Sequence, residues 1–189
     1  NLTWEVVNKA NVGLELGLFN GMVDLQFDLF DERRHNIFMP RESIPITAGF
    51  IKQPWDNYGK MKNQGAEVTL NINKQFNKNL FVSLMGTLTY AHNEITEKDE
   101  PAAVVGTNRA ETGYPTGQNR GYIAERLFTN DDFADVAAGT LKEGIPAQTF
   151  TAKLRPGDIK YVDVNQDGKI DAFDVSPIGG PINPEIVYG

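Results

Sequence analysis

The stretch from Asn11 to Phe30, NVGLELGLFNGMVDLQFDLF, decides the fold class. Val12, Leu14, Leu16 and Leu18 alternate with Asn11, Gly13, Glu15 and Gly17. Strict alternation is the period of a β-strand, whose side chains point to opposite faces in turn. Asn20-Gly21 follows, a strong short hairpin signal because both residues tolerate positive φ. Beyond it Val23, Leu25, Phe27 and Leu29 alternate with Asp24, Gln26, Asp28 and Phe30. The stretch therefore reads as a β-hairpin with one aliphatic face and one polar face.

The design recurs downstream. Ala66, Val68, Leu70 and Ile72 alternate with Glu67, Thr69, Asn71 and Asn73, the turn is Asn77-Lys78-Asn79, and Leu80 to Tyr90 alternates again. The result is four strands of roughly 8–11 residues, the length a tilted membrane strand needs. The polar face carries Glu15, Asp24, Gln26, Asp28, Glu67, Thr69 and Asn71, costly in a packed core and suited to a wet lumen. Phe19, Phe30, Phe76, Phe81 and Tyr90 fall near strand ends, where membrane barrels carry aromatic girdles. Connections at one end are tight turns; those at the other, over 31–65 and from 91 to about 184, are long. The chain thus divides into barrel strands over 1–91 with one long loop at 31–65, a loop region over 92–184, and the start of another strand at 185–189. Two architectures accommodate this pattern: a membrane barrel, or an antiparallel sheet burying one face in its own core. The latter would have to bury Val12, Leu14, Leu16, Leu25, Phe27, Leu70 and Leu84.

Composition narrows the function classes. The 189 residues carry no Cys, which excludes disulfides, thiol nucleophiles and thiolate metal sites. The net charge of −7 opposes nucleic-acid binding, since phosphate contact needs clustered Lys and Arg. The first 91 residues hold 9 basic and 9 acidic side chains; the remaining 98 hold 9 and 16, so the acidic excess lies in the second part. The chain opens at Asn1, directly on strand-like sequence, and reads as a piece of something longer. No G-x-S-x-G, P-loop or H-E-x-x-H motif occurs, so no catalytic residue and no organic cofactor are expected. His35 and His92 have no second His or carboxylate at a metal or catalytic spacing and read as surface residues.

The second part is loop-like. Arg126–Ala138 reads as a short helix capped by Thr129 or Asn130, with Asp131 and Asp132 favouring the positive end of its dipole. The run from Asp163 to Asp174, DVNQDGKIDAFD, has the spacing of a twelve-residue calcium loop. Asp163, Asn165, Asp167, Asp171 and Asp174 offer side-chain oxygens, and Lys169 its backbone carbonyl. Position 12 is Asp rather than Glu, and Pro177 and Pro181 bar a following helix. Bound Ca²⁺ and a metal-free Asx-rich turn both suit these residues.

Further residues carry a resemblance. Pro156-Gly-Asp-Ile-Lys-Tyr-Val-Asp-Val-Asn-Gln-Asp-Gly-Lys-Ile-Asp171, followed by Ile178-Gly-Gly-Pro-Ile-Asn-Pro-Glu-Ile-Val-Tyr-Gly189, resembles the late extracellular region of SusC-like (RagA-like) TonB-dependent outer-membrane transporters. Leu2-Thr-Trp-Glu5 with Asn11–Asn20, Gly59–Glu67 and Gly121–Phe128 are similar to successive segments of the same family, in the same order. Gln166 stands where that family usually has Gly, and Gly180 where it has Asn. The resemblance implies an all-β fold: about four to five antiparallel strands of a larger barrel of about 22 strands, with long extracellular loops. It implies import of oligosaccharides or peptides across a Gram-negative outer membrane, a SusD-like surface lipoprotein, and drive from the TonB complex through a plug domain outside this chain. Outer-membrane lipid would surround the barrel, and no nucleic acid is involved. Trp55, Tyr58, Tyr114 and Tyr122 become candidates for substrate or partner contact in the loops. The runner-up is a secreted, calcium-stabilised β-domain that binds carbohydrate or protein.

Overall fold

A computed structural model describes residues 2–189, apart from the side chain of residue 46; Asn1, with which the first expected segment opens, lies outside them. Strands β1 (Val6–Leu18), β2 (Val23–Pro40), β3 (Trp55–Asn77) and β4 (Leu80–Glu97) form an antiparallel meander. Nine short strands follow: β5 (Gln118–Gly121), β6 (Ala124–Leu127), β7 (Phe133–Asp135), β8 (Thr140–Leu141), β9 (Ala147–Gln148), β10 (Ile159–Tyr161), β11 (Lys169–Ile170), β12 (Ser176–Pro181) and β13 (Ile186–Tyr188). The last returns to pair with β4, giving a five-stranded sheet in the order β1-β2-β3-β4-β13. The chain splits into two units. The first takes in the chain up to Pro101, Glu111–Gly117 and Gly180–Gly189; the second takes in Ala102–Ala110 and Gln118–Gly179.

The expected hairpins form. Leu18 pairs with Val23 across a turn in which Phe19, Asn20 and Gly21 all take positive φ (55°, 58° and 80°). Asn77 pairs with Leu80, and its side chain accepts the Asn79 N–H at 2.9 Å. Register then lines up four apolar rows on one face, Leu18–Val23–Ile72–Leu84, Leu16–Leu25–Leu70–Gly86, Leu14–Phe27–Val68–Leu88 and Val12–Leu29–Ala66–Tyr90. None of the described residues of the unit covers them. Val12 is 71% exposed and Leu84 59%, and the buried hydrophobic side chains among the described residues (Ala110, Phe128, Phe133, Leu154, Ile170) all belong to the second unit.

Four expectations are corrected. The segment 31–65 is not one long loop: β2 runs on to Pro40 and β3 starts at Trp55, leaving only 41–54 as a connection. Likewise β4 continues to Glu97, so the loop region begins at 98 rather than 92. Beyond the apolar rows both faces turn polar, and Lys9–Glu32, Arg33–Asp31, Lys62–Glu94 and Lys60–Glu97 ion pairs run across and along the strands. A strand wet on both sides has no hydrophobic alternation to read. A bulge at Asn36 (φ 58°) then shifts the register between Arg34 and Ile37. The helix expected over Arg126–Ala138 is a single 3₁₀ turn, Asn130–Asp132, between strands β6 and β7. Thr129 does sit at its start, and its N–H and hydroxyl both donate to Asp132 Oδ2 (2.8 and 3.0 Å). Asp132 also takes two hydrogen bonds from Arg126 (2.7 and 2.6 Å), which closes the segment after one turn. The aromatic girdle is incomplete, because register places Phe30 and Phe81 on the polar face with Asp28, Thr89 and Thr87.

The second unit has its own small core of Phe128, Phe133 and Leu154, flanked by Leu141 and Ile145. The Phe128 and Phe133 rings are 5.6 Å apart.

Candidate functional site

The seven polar-face candidates fall on three adjacent rows of one face. Gly13 lies opposite Asp28 and Asp28 opposite Glu67; Glu15 opposite Gln26 and Gln26 opposite Thr69; Gly17 opposite Asp24 and Asp24 opposite Asn71. Strand β4 extends them with Thr89, Thr87 and Met85. The glycines on β1 leave room for the acids: a Cβ on Gly13 would stand 2.5 Å from Asp28 Oδ1. Asp28 and Glu67 are like charges directly opposite each other, an arrangement that water must screen. This face therefore offers carboxylate, amide and hydroxyl groups over a wet surface. Thr87 and Thr89 belong to the same alternation, and register shows that they extend the rows of Thr69 and Glu67.

The rows continue past the apolar band into a concavity of about 420 Å³, lined by Glu5, Val7, Glu32, Arg34, Met61 and Asn63 among others. Arg34 pairs with Glu5 and Lys9 with Glu32, so charges of both signs surround it. Local spacing gave no hint of it, because its residues come from six separate segments.

The loop 41–54 is held by a network around Asp99, a buried carboxylate. Arg41 Nε donates to Asp99 Oδ2 at 2.9 Å, and the Ser43 N–H and hydroxyl donate at 3.2 and 3.0 Å. Burial pushes the Asp99 carboxyl up, but these donors outweigh it and hold it below the ordinary range. The Arg41 guanidinium also lies 4.7 Å from the centre of the Tyr58 ring.

The four aromatic candidates do not form one site. Trp55 and Tyr58 lie in strand β3 rather than in a loop; Trp55 packs against Phe38 at 5.2 Å. Tyr114 joins the backbone of Ile95 through its carbonyl at 3.0 Å. Tyr122, in the second unit, stacks on Phe150 at 4.7 Å and lies 5.4 Å from Tyr161. His92 meets a carboxylate after all, with Nδ1 2.6 Å from Glu185 Oε1, a partner 93 residues away.

The loop over 163–174 folds around backbone N–H groups. Asp174, with no exposed surface, accepts from Val164 and Asp171 at 2.8 Å each. Asp163 accepts from Asp167 (3.2 Å) and Gly168 (2.8 Å), and Asn165 Oδ1 from Asp167 (3.1 Å). Asp167 accepts from the Lys169 N–H at 3.1 Å, and Gln166 and Gly168 take positive φ. The Phe173 N–H and the Lys169 ammonium, 2.9 Å from Asp171 Oδ2, hold the Asp171 carboxyl below its usual range. Among the described residues no three His, Asp or Glu side chains converge as a metal-binding group. As arranged, the oxygens that would ligate a cation are engaged by the chain's own donors.

Residues 1–176 match the family described as TonB dependent receptor-like, beta-barrel. The chain is 28% identical over 193 residues to TonB-dependent receptor P26 of Formosa agariphila, covering 100% of this chain and 19% of that protein. To TonB-dependent receptor SusC of Bacteroides thetaiotaomicron it is 25% identical over 181 residues, covering 92% of this chain and 16% of that protein. The chain thus spans less than a fifth of the length of these relatives. A solved structure of the RagAB peptide transporter superposes with a TM-score of 0.65 at 21% identity, over 100% of this chain and 19% of that one. The RagAB peptide importer in the closed-closed state gives 0.63 over 98% and 19%. At that identity the superpositions show a common fold.

Proposed function

The chain belongs to the TonB dependent receptor-like, beta-barrel family, and from that premise we propose that it is a late barrel portion of an outer-membrane transporter. The transporter takes up oligosaccharides or peptides together with a SusD-like surface lipoprotein and draws its energy through the TonB complex. One observation carries the reading: a two-faced sheet whose apolar side has no layer packed on it. Leu80 to Tyr90 covers eleven residues of β4, whose ten steps span about 33 Å at roughly 3.3 Å per residue. Tilted by about 40°, it rises about 25 Å, the height of a barrel's lipid-facing band. The opposite face lines the lumen with Glu15, Asp24, Gln26, Asp28, Glu67, Thr69 and Asn71, hydrogen-bonding groups suited to a hydrated cargo. No bond is made or broken in this role.

The secreted-domain reading requires its seven apolar residues to be buried. Val12, Leu14, Leu16 and Leu84 are exposed, and Leu25, Phe27 and Leu70 only half-buried. For cargo, the structurally similar RagAB is a peptide importer, which supports the peptide arm; the SusC relative is a TonB-dependent receptor, with no cargo in its name. Ca²⁺ is the cation that the 163–174 loop would take. Calorimetric titration of the full-length protein with CaCl₂, against Asp163→Asn, tests it: heat lost in the variant supports binding, and no heat in either removes calcium from the account.

The deciding experiment is extraction of the full-length protein from outer membranes in mild detergent, with intact masses of whatever co-purifies. A polypeptide several times larger than 21.0 kDa, with a lipoprotein partner, is expected. A lone, detergent-independent species near 21.0 kDa would sink the proposal. Uptake of labelled peptides and oligosaccharides by cells with and without the gene then separates the two cargo classes.

A further inference from the structure

We propose that the second unit carries a cleft for a neutral oligosaccharide, with the Phe150 ring as its platform and the Gln148 amide as a fixed donor beside it. The cleft lies wholly within that unit, so it stands whether or not the sheet faces lipid. Gln148 ends the short strand β9, which pairs with β11. Glutamine is mostly a surface residue, yet Gln148 is only 5% exposed. Its Oε1 accepts the Tyr161 N–H at 3.0 Å. That bond fixes which way the amide points, because only the oxygen can accept. The Nε2 group has no partner among the described residues, and no sealed polar side-chain atom among them lacks one. The nitrogen is therefore open to what enters from outside. Two adjoining hollows meet there, of about 370 and 430 Å³, and Gln148, Thr151 and Leu154 belong to the walls of both. An amide turned this way offers its N–H groups to a ligand's acceptor.

The aromatic wall stands next to it. The Gln148 carbonyl accepts the Thr151 N–H at 3.4 Å, closing a tight turn that presents Phe150. Tyr122 stacks on one face of Phe150 at 4.7 Å, and Tyr161 meets it edge-on at 5.7 Å. Phe150 still stays 47% exposed, and it lines the smaller hollow where Tyr122 does not. The free face of the ring thus turns into that hollow. Thr151 brings a hydroxyl with no partner among the described residues. Asp158, in the same wall, brings a carboxylate whose Oδ2 accepts the Arg155 N–H at 2.8 Å. The ligand class follows from these groups. A sugar ring is apolar on its faces and carries hydroxyls on its rim that both donate and accept. Its face packs on an aromatic ring, and its rim answers an amide, a hydroxyl and a carboxylate. An anionic ligand is opposed by Asp158, and a purely apolar one leaves the Gln148 donor unanswered. Beyond Gln148, the second hollow is walled by Leu141, Lys142, Glu143 and Ile145, with one charge of each sign. It gives a place to a neighbouring ring, which makes the ligand a chain of sugars rather than a single one.

The test is calorimetric titration of the full-length detergent-solubilised protein with neutral hexasaccharides of glucose, mannose, xylose and galactose. A hexasaccharide of uronic acid and a neutral hexapeptide serve as comparisons. At least one neutral hexasaccharide is expected to bind, and more tightly than its own monosaccharide. Phe150→Ala should weaken that binding about tenfold, the worth of one lost ring stack, and Phe150→Trp should keep it. Gln148→Glu leaves an oxygen for the Tyr161 N–H and removes the amide donor, so it should weaken binding too. Thr151→Val takes its place if protease cleavage within 118–179 shows that the Gln148 variant has lost its fold. No binding of any neutral hexasaccharide, or binding that Phe150→Ala leaves unchanged, overturns the inference. So does Phe150-dependent heat from the uronic acid or the peptide in place of the sugar. Sugar bound only on the polar face of the sheet gives unchanged binding in Phe150→Ala, so the transporter reading survives that result. A protein that needs no detergent overturns the transporter reading alone.

Discussion

At Gly65 the sheet has no room for even one methyl group: a Cβ there would overlap the Tyr90 carbonyl oxygen and the Phe30 ring. The phenyl ring of β2 lies across the glycine of β3, filling the space a side chain would take. Backbone on one side and a packed ring on the other cannot both move, so Gly65→Ala is expected to destabilise the barrel by about 1–3 kcal/mol. A shifted midpoint in urea unfolding of the full-length protein checks it. Glycine in a strand signalled a close approach in the sequence, but not what approached. The loop carboxylates carry a second prediction. Arg126 and the Thr129 N–H hold Asp132 well below the usual carboxylate range, and Ser43 and Arg41 hold Asp99 lowered against its burial. A carboxyl whose folded pKa is depressed stabilises fully above its unfolded value, near 4. That contribution drains away as pH falls below it towards the folded value. Loop cleavage by pepsin is therefore expected to rise between pH 4 and pH 2 more steeply in the parent than in Asp132→Asn, which has already lost the contribution. Parallel curves would show that Asp132 does not fasten its loop. Asp132 and Arg126 are near enough in sequence to suggest a pair; Asp99 and Arg41 are not.

Among the elements, β1 offers the sharpest contrast, because Glu15 and Leu16 are neighbours on opposite faces. Glu15 stands in a row with Gln26 and Thr69, Leu16 in a row with Leu25 and Leu70. Leu16→Lys is expected to cost about 2–4 kcal/mol and to impair assembly, whereas Glu15→Lys on the polar face should assemble like the parent. Heat-dependent gel migration of the two variants measures the difference, and equal assembly would mean that β1 does not face lipid. The apolar part of each strand was legible because dry and wet faces alternate residue by residue. The extensions over 31–40, 55–65 and 91–97 were not, because strand and loop look alike in composition once both faces meet water. Hydrogen bonding to the next strand alone keeps them extended, and Lys60, Lys62 and Lys9 find their acids across the strands as a consequence.

At the scale of the whole molecule, the two units rest on different physics. The five-stranded sheet buries no hydrophobic side chain among the described residues, while the second unit has the Phe128, Phe133 and Leu154 cluster. Phe133 is 4% exposed, and Phe133→Ala is expected to cost its unit about 3–5 kcal/mol. Protease cleavage within 118–179 should then appear while heat-dependent migration of the barrel stays unchanged. If migration changes too, the two units do not stabilise independently. The 3₁₀ turn ahead of Phe133 belongs to the same account: the acidic run 131–132 reads locally as a helix start, and the Arg126–Asp132 pair and the burial of Phe133 end it after one turn. The sequence by itself determined which face of each strand is dry, where the two tight hairpins fall and which family the chain belongs to, because alternation, turn chemistry and motif order are local. Only the tertiary structure decided how far the strands run, which polar residues share a row, and which oxygens of the 163–174 loop are already engaged. Those depend on register and on partners far away in the chain, and no short window of sequence contains them.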